Sequence, residues 1–393
     1  MIDFPEKNLG DKMHRLILLF VLPALLVSET SYAAAMASTE LPSLVASVRI
    51  EGTLEFCGEP VPTGDQEVRE RYEKELLLTL WDRAQVVLWL KRSRRHLPHI
   101  DETLRKEGMP EDLRYVAVAE SALRAHAGSS KGAMGYWQFT RATGRKYGLT
   151  VNDRIDERRN LAASTRAAVR YFKDLYNLFG SWTLAAAAYN MGEDGLMAEI
   201  LEQGTKDYYQ LYLPLETQRF IFRILSVKLI LSAPEKFGFD LSDQDYYPPL
   251  ESDEIEVDCP QEIPIRIVAQ AAGTNFKTIK DLNPEIRGHH LSQGAHKLLI
   301  PQGAASGFQE RYRQMLDTYL SAKKESVYIV KQGDNLSAIA ERFGVPLLSL
   351  IIWNRLDVNR AIHPGQELVI HQEGVQGEEG ENQEGPNRAP SYN

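Results

Sequence analysis

From about Val68 to Leu241 the apolar residues recur at helical spacing. After Asn160, the positions Leu161, Thr165, Ala168, Phe172, Leu175 and Phe179 alternate spacings of four and three, which lines them along one helix face. Asn160 is a suitable cap for that helix. Past "FG", Ser181 can cap a second helix, "WTLAAAAYN", whose alanines permit close packing against neighbours. Earlier, Pro110, Glu111 and Asp112 suit a helix start, because proline tolerates the first turn and acids favour the positive end of the helix dipole. The stretch "YYPPLESDEIEVD" then ends the helical pattern with a proline pair and a charge run.

Beyond that break the chain repeats itself at an offset of 71 residues, which lays Ala269 on Ala340, Gly273 on Gly344, Asn283 on Asn354 and Gly294 on Gly365. Ile279 falls on Leu350 and Leu282 on Trp353. Each copy reads as a strand, two short helices and a strand, closing with "HKLLIP" and "QELVIH". The pattern predicts an α+β chain with these parts: an N-terminal segment (38–67), a helical domain (68–245), a first small βααβ module (255–302), a helical linker (303–325), a second module (326–371) and a disordered tail (372–393) with almost no apolar content.

At the start, "KMHR" followed by the apolar run Leu16 to Val27 and then small residues reads as a secretory signal, residues 1–37, with cleavage near Ala35 or Ala37. Twelve apolar residues fall short of the roughly 20 a membrane span needs, and an uncleaved anchor is the alternative. Export predicts a periplasmic or cell-envelope location. It also exposes Cys57 and Cys259 to oxidising conditions, so that a disulfide and two unpaired thiols are both open. The formal net charge of −9 argues against nucleic acid as a partner. The one basic run, Lys91 to His96, reads as the solvated end of an amphipathic helix, with docking to an anionic surface as the alternative.

Composition thus leaves the chemistry to a few residues. In "EDLRYVAVAES" the positions Leu113, Val116, Ala117 and Glu120 share one helix face, so Glu120 continues an apolar stripe. A carboxyl in that setting loses hydration, and its pKa rises toward the range of a useful proton donor. The bland alternative is an ion pair with Arg124 at i+4. The loop that follows, rich in Gly128, Gly132, Ala133 and Gly135, lets backbone pass close to a bulky ligand. Tyr136 and Trp137 offer faces for sugar rings, Gln138 offers an amide for hydroxyls, and Phe139 reads as core.

These motifs, "ES" with "SSKGAMGYWQF", then "AAYNMGEDG" and "LPLETQRFIFRIL", resemble the lytic transglycosylase domain of the soluble-lytic-transglycosylase, goose-lysozyme-like type, nearest to D-type murein transglycosylases with C-terminal LysM domains. Tyr328 to Ile370 is similar to a LysM domain throughout. The resemblance implies a lysozyme-like helical domain with Glu120 as sole catalytic acid. It implies substrate contacts at Ser121, Ser129, Trp137, Gln138, Tyr189 and Asn190, with Tyr189 lying against Glu120. It implies cleavage of peptidoglycan glycan strands to 1,6-anhydromuramoyl ends, without cofactor or metal. In the second module the turn Gly333, Asp334, Asn335 and Leu336, with the loop from Arg360 to His363, would bind N-acetylglucosamine chains. By residue type, Asp334 also reads as a plain turn residue. The first module has "QEIP" in place of "GDNL", which suits a spacer.

Two other functions stay open. A hydrolytic muramidase would need a second carboxylate about 5 to 9.5 Å from the first, for which Asp153, Asp156, Glu193 and Asp194 are candidates, although capping explains the acids of "GEDG". A non-catalytic wall-binding protein would rely on the LysM modules alone. Peripheral or N-terminal membrane association is likewise open.

Overall fold

A computed structural model describes residues 42–325, 327–357 and 361–370. The expected signal segment, the tail from 372 and Arg360 lie outside the described residues. The chain divides into two units, the first comprising residues up to Glu251 together with Lys280–Leu291, the second Ser252–Ile279 with the chain from Ser292 onward.

The first unit is helical, as its periodicity predicts. Its main elements are α1 (Gln66–Trp81), α2 (Arg83–Lys106), α3 (Arg114–Ser121), α4 (Arg141–Lys146), α5 (Leu161–Phe179), α6 (Trp182–Met191), α7 (Glu193–Gln203) and α8 (Leu215–Ser232). Asn160 caps α5 through a bond from the Ala163 amide at 2.9 Å. The α5 stripe from Thr165 to Phe179 is buried, and the Ala185–Ala188 run of α6 is wholly so. Small side chains let α5 and α8 pack closely against α6 along that run.

This core reaches further back than the expected boundary at 68. Leu54, Phe56 and Val61 are buried in it, on and beside a hairpin of β1 (Glu55–Phe56) and β2 (Glu59–Pro60). From the hairpin, Glu59 accepts from the amide of Thr183 at 2.9 Å and from the hydroxyls of Ser181 and Thr183 at 2.8 and 2.7 Å. It also takes the Trp182 amide. A carboxylate thus satisfies the free amides at the start of α6 and opposes the positive end of its dipole.

The basic run is not merely solvated. Lys91 and Arg95 sit over the Tyr247 ring at 5.3 and 5.1 Å, Arg94 lies over Tyr246 and pairs with Asp243 at 2.7 Å, and Arg95 donates to the Pro248 carbonyl at 2.9 Å. The run clamps the segment that leaves the helical domain.

In the second unit, β3 (Ser252–Cys259) pairs antiparallel with β4 (Gly294–Pro301), from Ser252 opposite Pro301 to Cys259 opposite Gly294. Between them in sequence lie α9 (Ile265–Ala271) and α10 (Phe276–Leu282). The second copy repeats this order with β5 (Val327–Ile329), α12 (Leu336–Phe343), α13 (Leu347–Asn354) and β6 (Glu367–Val369). Equivalent positions play equivalent parts. Ala269 and Ala340 are buried, as are Ile279 and Leu350, while Gly273 and Gly344 both take the left-handed conformation, at φ of 64° and 65°. The segment read as a helical linker holds a helix, α11 (Phe308–Glu325), with Phe308 and Tyr312 buried and Arg311 donating to the Ala271 carbonyl at 2.7 Å. Both cysteines are free thiols, Cys259 buried and Cys57 half-buried. Among the described residues, no single helix is long and apolar enough to cross a membrane.

Candidate active site

Glu120 is the penultimate residue of α3, whose inner face, Leu113, Val116 and Ala117, is buried as the stripe predicts. The helix stops abruptly, because Ala122 and Leu123 both adopt left-handed angles, with φ of 54° and 57°. For residues carrying a Cβ, each such angle costs roughly 1–2 kcal/mol, so the turn needs external support. Ser121 supplies part of it, donating to the Ala117 carbonyl at 3.0 Å and accepting from the Arg124 amide at 3.4 Å. Arg124 donates to the Ser121 carbonyl at 3.1 Å and Arg92 to the Ala122 carbonyl at 3.2 Å. Arg124 therefore serves the turn, and the expected i+4 pair with Glu120 does not form. Ser121 is 2% exposed, which corrects its reading as a substrate contact: its hydroxyl builds the turn.

Among the described residues, no hydrogen bond reaches the Glu120 carboxyl. Burial pushes its pKa up to about 7, opposed by the Arg223 guanidinium and reinforced by the Glu216 carboxylate, both on α8. The residue as a whole is only partly buried. An acid that is desolvated, unpaired and reachable can hold a proton near neutral pH and release it to a bound molecule.

The glycine-rich loop folds back on itself beside this acid. The Ser129 amide donates to the Ala133 carbonyl at 3.0 Å, the Ser129 hydroxyl accepts from the Ala133 amide at 3.1 Å, and the Met134 amide donates to the Phe139 carbonyl at 3.0 Å. Gln138 has a left-handed φ of 50° and gives its amide hydrogens to the carbonyls of Ala127 and Gly135, at 2.9 and 2.8 Å. Trp137 is fully buried, donating its indole N–H to Thr165 at 3.0 Å, and Tyr136 is 6% exposed. Neither ring presents a face to a sugar, so the expected stacking contacts are core contacts instead. Phe139 is buried, as read from the sequence.

Tyr189 joins the loop to α6, its hydroxyl donating to the Trp137 carbonyl at 2.6 Å. Its ring stacks on Phe172 at 4.7 Å and 2°. Burial holds the phenol well above the usual tyrosine range, and the nearby Glu120 carboxylate adds to the effect. Asn190 accepts from the Thr217 hydroxyl at 2.9 Å. Thus Tyr189 is brought electrostatically close to Glu120, Gln138 is held in the adjoining loop and Asn190 is tied to α8, whereas Ser129 is an exposed turn residue.

Two of the candidate second carboxylates, Asp156 and Glu193, are held by neighbouring cations. Asp156 is buried and paired twice with Arg158 at 2.8 Å. Glu193 pairs with Lys146 at 2.9 Å and accepts from Tyr171 at 2.7 Å; Asp194 lies in the exposed first turn of α7, and Asp153 lies 3.9 Å from Arg287. Sequence reasoning missed Arg223 and Glu216. Their seven-residue separation on one helix was the available signal.

In the second module Gly333 has φ of 90°, Asp334 accepts from the Tyr328 hydroxyl and the Lys331 amide, both at 2.7 Å, and Asn335 caps α12 through the Ala338 amide at 2.8 Å. Leu336 opens that helix and packs on the module's core. All four residues lie in one turn, which uses the Asp334 carboxylate and the Asn335 amide oxygen for its own shape.

The helical unit thus carries an isolated acid, the second unit carries the repeated modules, and comparison with known families matches each of these parts. The chain carries a transglycosylase SLT domain match over 98–212, a LysM domain match over 328–371, and over 253–317 a match to the LysM-like domain of lytic transglycosylase MltD. It is 32% identical over 281 residues to membrane-bound lytic murein transglycosylase D of Escherichia coli K12, an alignment covering 68% of this chain and 61% of the relative's length. Peptidoglycan transglycosylase gp16 of Escherichia phage T7 is 40% identical over 96 residues, 24% of this chain and 7% of that protein. N-acetylmuramoyl-L-alanine amidase XlyA of Bacillus subtilis is 37% identical over 78 residues, 18% of this chain and 26% of its own.

Proposed function

We propose that this chain is an exported peptidoglycan lytic transglycosylase that cleaves the MurNAc–GlcNAc β-1,4 bond without water and stays on its polymer through LysM-mediated binding. The observation that carries the reading is the unpaired, desolvated Glu120 carboxyl with its pKa near 7. The similarity to murein transglycosylase D supports the substrate class, and that relative's membrane-bound description supports association with the cell envelope.

In this scheme protonated Glu120 donates to the glycosidic oxygen as the C1–O bond breaks. The resulting carboxylate then takes the proton of the muramoyl C6 hydroxyl, whose oxygen closes onto C1 to form the 1,6-anhydro ring. One acid suffices, since the nucleophile belongs to the sugar and the protein supplies position and proton transfer. The commitments of Asp156 and Glu193 to neighbouring cations favour this route over hydrolysis. Gln138 and Asn190 are the proposed glycan contacts, and Gly333 to Leu336 the proposed LysM contact.

Mass spectrometry of muropeptides released from purified sacculi tests the reading. Products lighter than hydrolytic ones by one water are expected, and reducing-end products would replace the lyase with a muramidase.

A further inference from the structure

The loop that carries Gln138 is gripped by a buried side chain. Arg158 is 5% exposed and spends two donors on Asp156, at 2.8 Å each. Its remaining terminal nitrogen reaches the carbonyls of Gly132 and Phe139, both at 3.0 Å, which are the two ends of the segment that includes Trp137 and Gln138. The backbone closes the same joint, because a Cβ built on Gly135 would stand 1.7 Å from the Arg158 carbonyl oxygen. A planar guanidinium fork can serve a carboxylate and two carbonyls together, which a lysine cannot do.

Asp156 is in turn held by residues from much later in the chain. Ile155 and Ile286 form an antiparallel bridge, the Asp156 amide donates to the Glu285 carbonyl at 2.8 Å, and the Arg287 amide donates to the Arg154 carbonyl at 2.8 Å. Ile286 is buried. These residues belong to the Lys280–Leu291 segment of the first unit, although the LysM-like match at 253–317 spans them in sequence.

We infer that Glu285–Arg287 is a working part of the catalytic unit, a brace that fixes Asp156 so that Arg158, as a positioning residue, sets the Gly132–Phe139 loop for catalysis. The inference rests on the proposed transglycosylase reading for its effect on rate. The brace itself can be read without turnover. Backbone bonding supplies most of the brace, so the probe is the amide of Arg287, whose side chain is exposed.

The test uses the full chain as Arg287→Pro, with Arg287→Ala as the control that keeps the N–H, and Arg158→Lys as the conservative variant at the joint. Hydrogen exchange is followed at amides 128–140, and kcat and KM are measured on soluble glycan fragments. Arg287→Pro and Arg158→Lys are expected to raise exchange in that loop about tenfold or more and to lower kcat at least tenfold, with KM within about twofold and sacculus binding unchanged; Arg287→Ala, which loses only an exposed 3.3 Å bond to the Asn152 carbonyl and the 3.9 Å pair with Asp153, should show a much smaller change. Unchanged loop exchange in Arg287→Pro, or an equal effect of Arg287→Ala, would overturn the brace. If Arg287→Pro fails to fold, Arg158→Lys decides: native loop exchange and native kcat there refute the inference. A native chain without any activity on murein sinks the functional reading alone, since loop exchange still decides the brace.

Discussion

The Tyr189 hydroxyl donates to the Trp137 carbonyl at 2.6 Å, which ties the helix bearing "AYN" to the loop bearing "YWQF". Tyr189→Phe removes that donor and leaves a buried carbonyl without its partner. Loss of about 1–2 kcal/mol of stability is expected, together with a fall in kcat on the order of tenfold as the loop loses its register. Urea titration and steady-state kinetics on soluble glycan check both.

Glu120→Gln preserves shape and removes the titrating proton. Turnover should fall to background while sacculus binding persists. A second consequence follows from linkage: the folded-state pKa of about 7 lies above the ordinary value of 4.5, so the native state holds the extra proton between those limits. Stability therefore declines as pH rises through that window and stays reduced above it. The variant should be more stable than the native chain at pH 8, by about 1–3 kcal/mol, and equal to it near pH 4. Thermal unfolding at the two pH values measures this.

Activity requires the protonated acid, so kcat/KM should fall as pH rises through about 7. Arg223→Gln removes a cation that favours the carboxylate and should move this limb to higher pH. Glu216→Gln removes a like charge and should move it lower. Each displacement should be about half a unit or less, because solvent screens both neighbours. Limbs that stay fixed in both variants would show that another group controls the profile.

Gly135→Ala should be among the most damaging single changes. The residue has φ of 85°, and its added methyl would overlap the Arg158 carbonyl. Roughly 3 kcal/mol or more of destabilisation is expected, since backbone rather than a flexible side-chain end must move. Native-like unfolding would contradict the tight joint.

Removing residues 326–393 should weaken retention on insoluble peptidoglycan more than it slows cleavage of soluble fragments. Co-sedimentation with sacculi and product release, measured in parallel, separate the two effects.

Periodicity made the helices legible, and with them the place of Glu120, because one stripe of side chains records which face is buried. The paired modules were legible for a related reason: turns need glycine at Gly273 and Gly344 whatever surrounds them. What residue type does not record is which way an aromatic points. Tyr136 and Trp137 read as sugar platforms, yet an indole with Thr165 within reach gains more by burial. Charges misled in the same way. Arg124 looked like a partner for Glu120 until the helix ended in a left-handed turn that removed it from the i+4 position. The Lys91–His96 run looked like solvated charge, because its partners are carbonyls and rings that only tertiary structure supplies.

The contact between Glu59 and the start of α6 joins positions 124 residues apart, as Thr183 receives its carboxylate partner from near the beginning of the described chain. Maturation by proteolysis accordingly has a limit. Trimming that stops ahead of Leu54 leaves the hairpin and its carboxylate in place, whereas a cut beyond Glu59 would bare the amides at the head of the helix that presents Tyr189 and Asn190. The upstream limit of a fragment that keeps this helix capped is therefore set by Glu59, a residue of the hairpin.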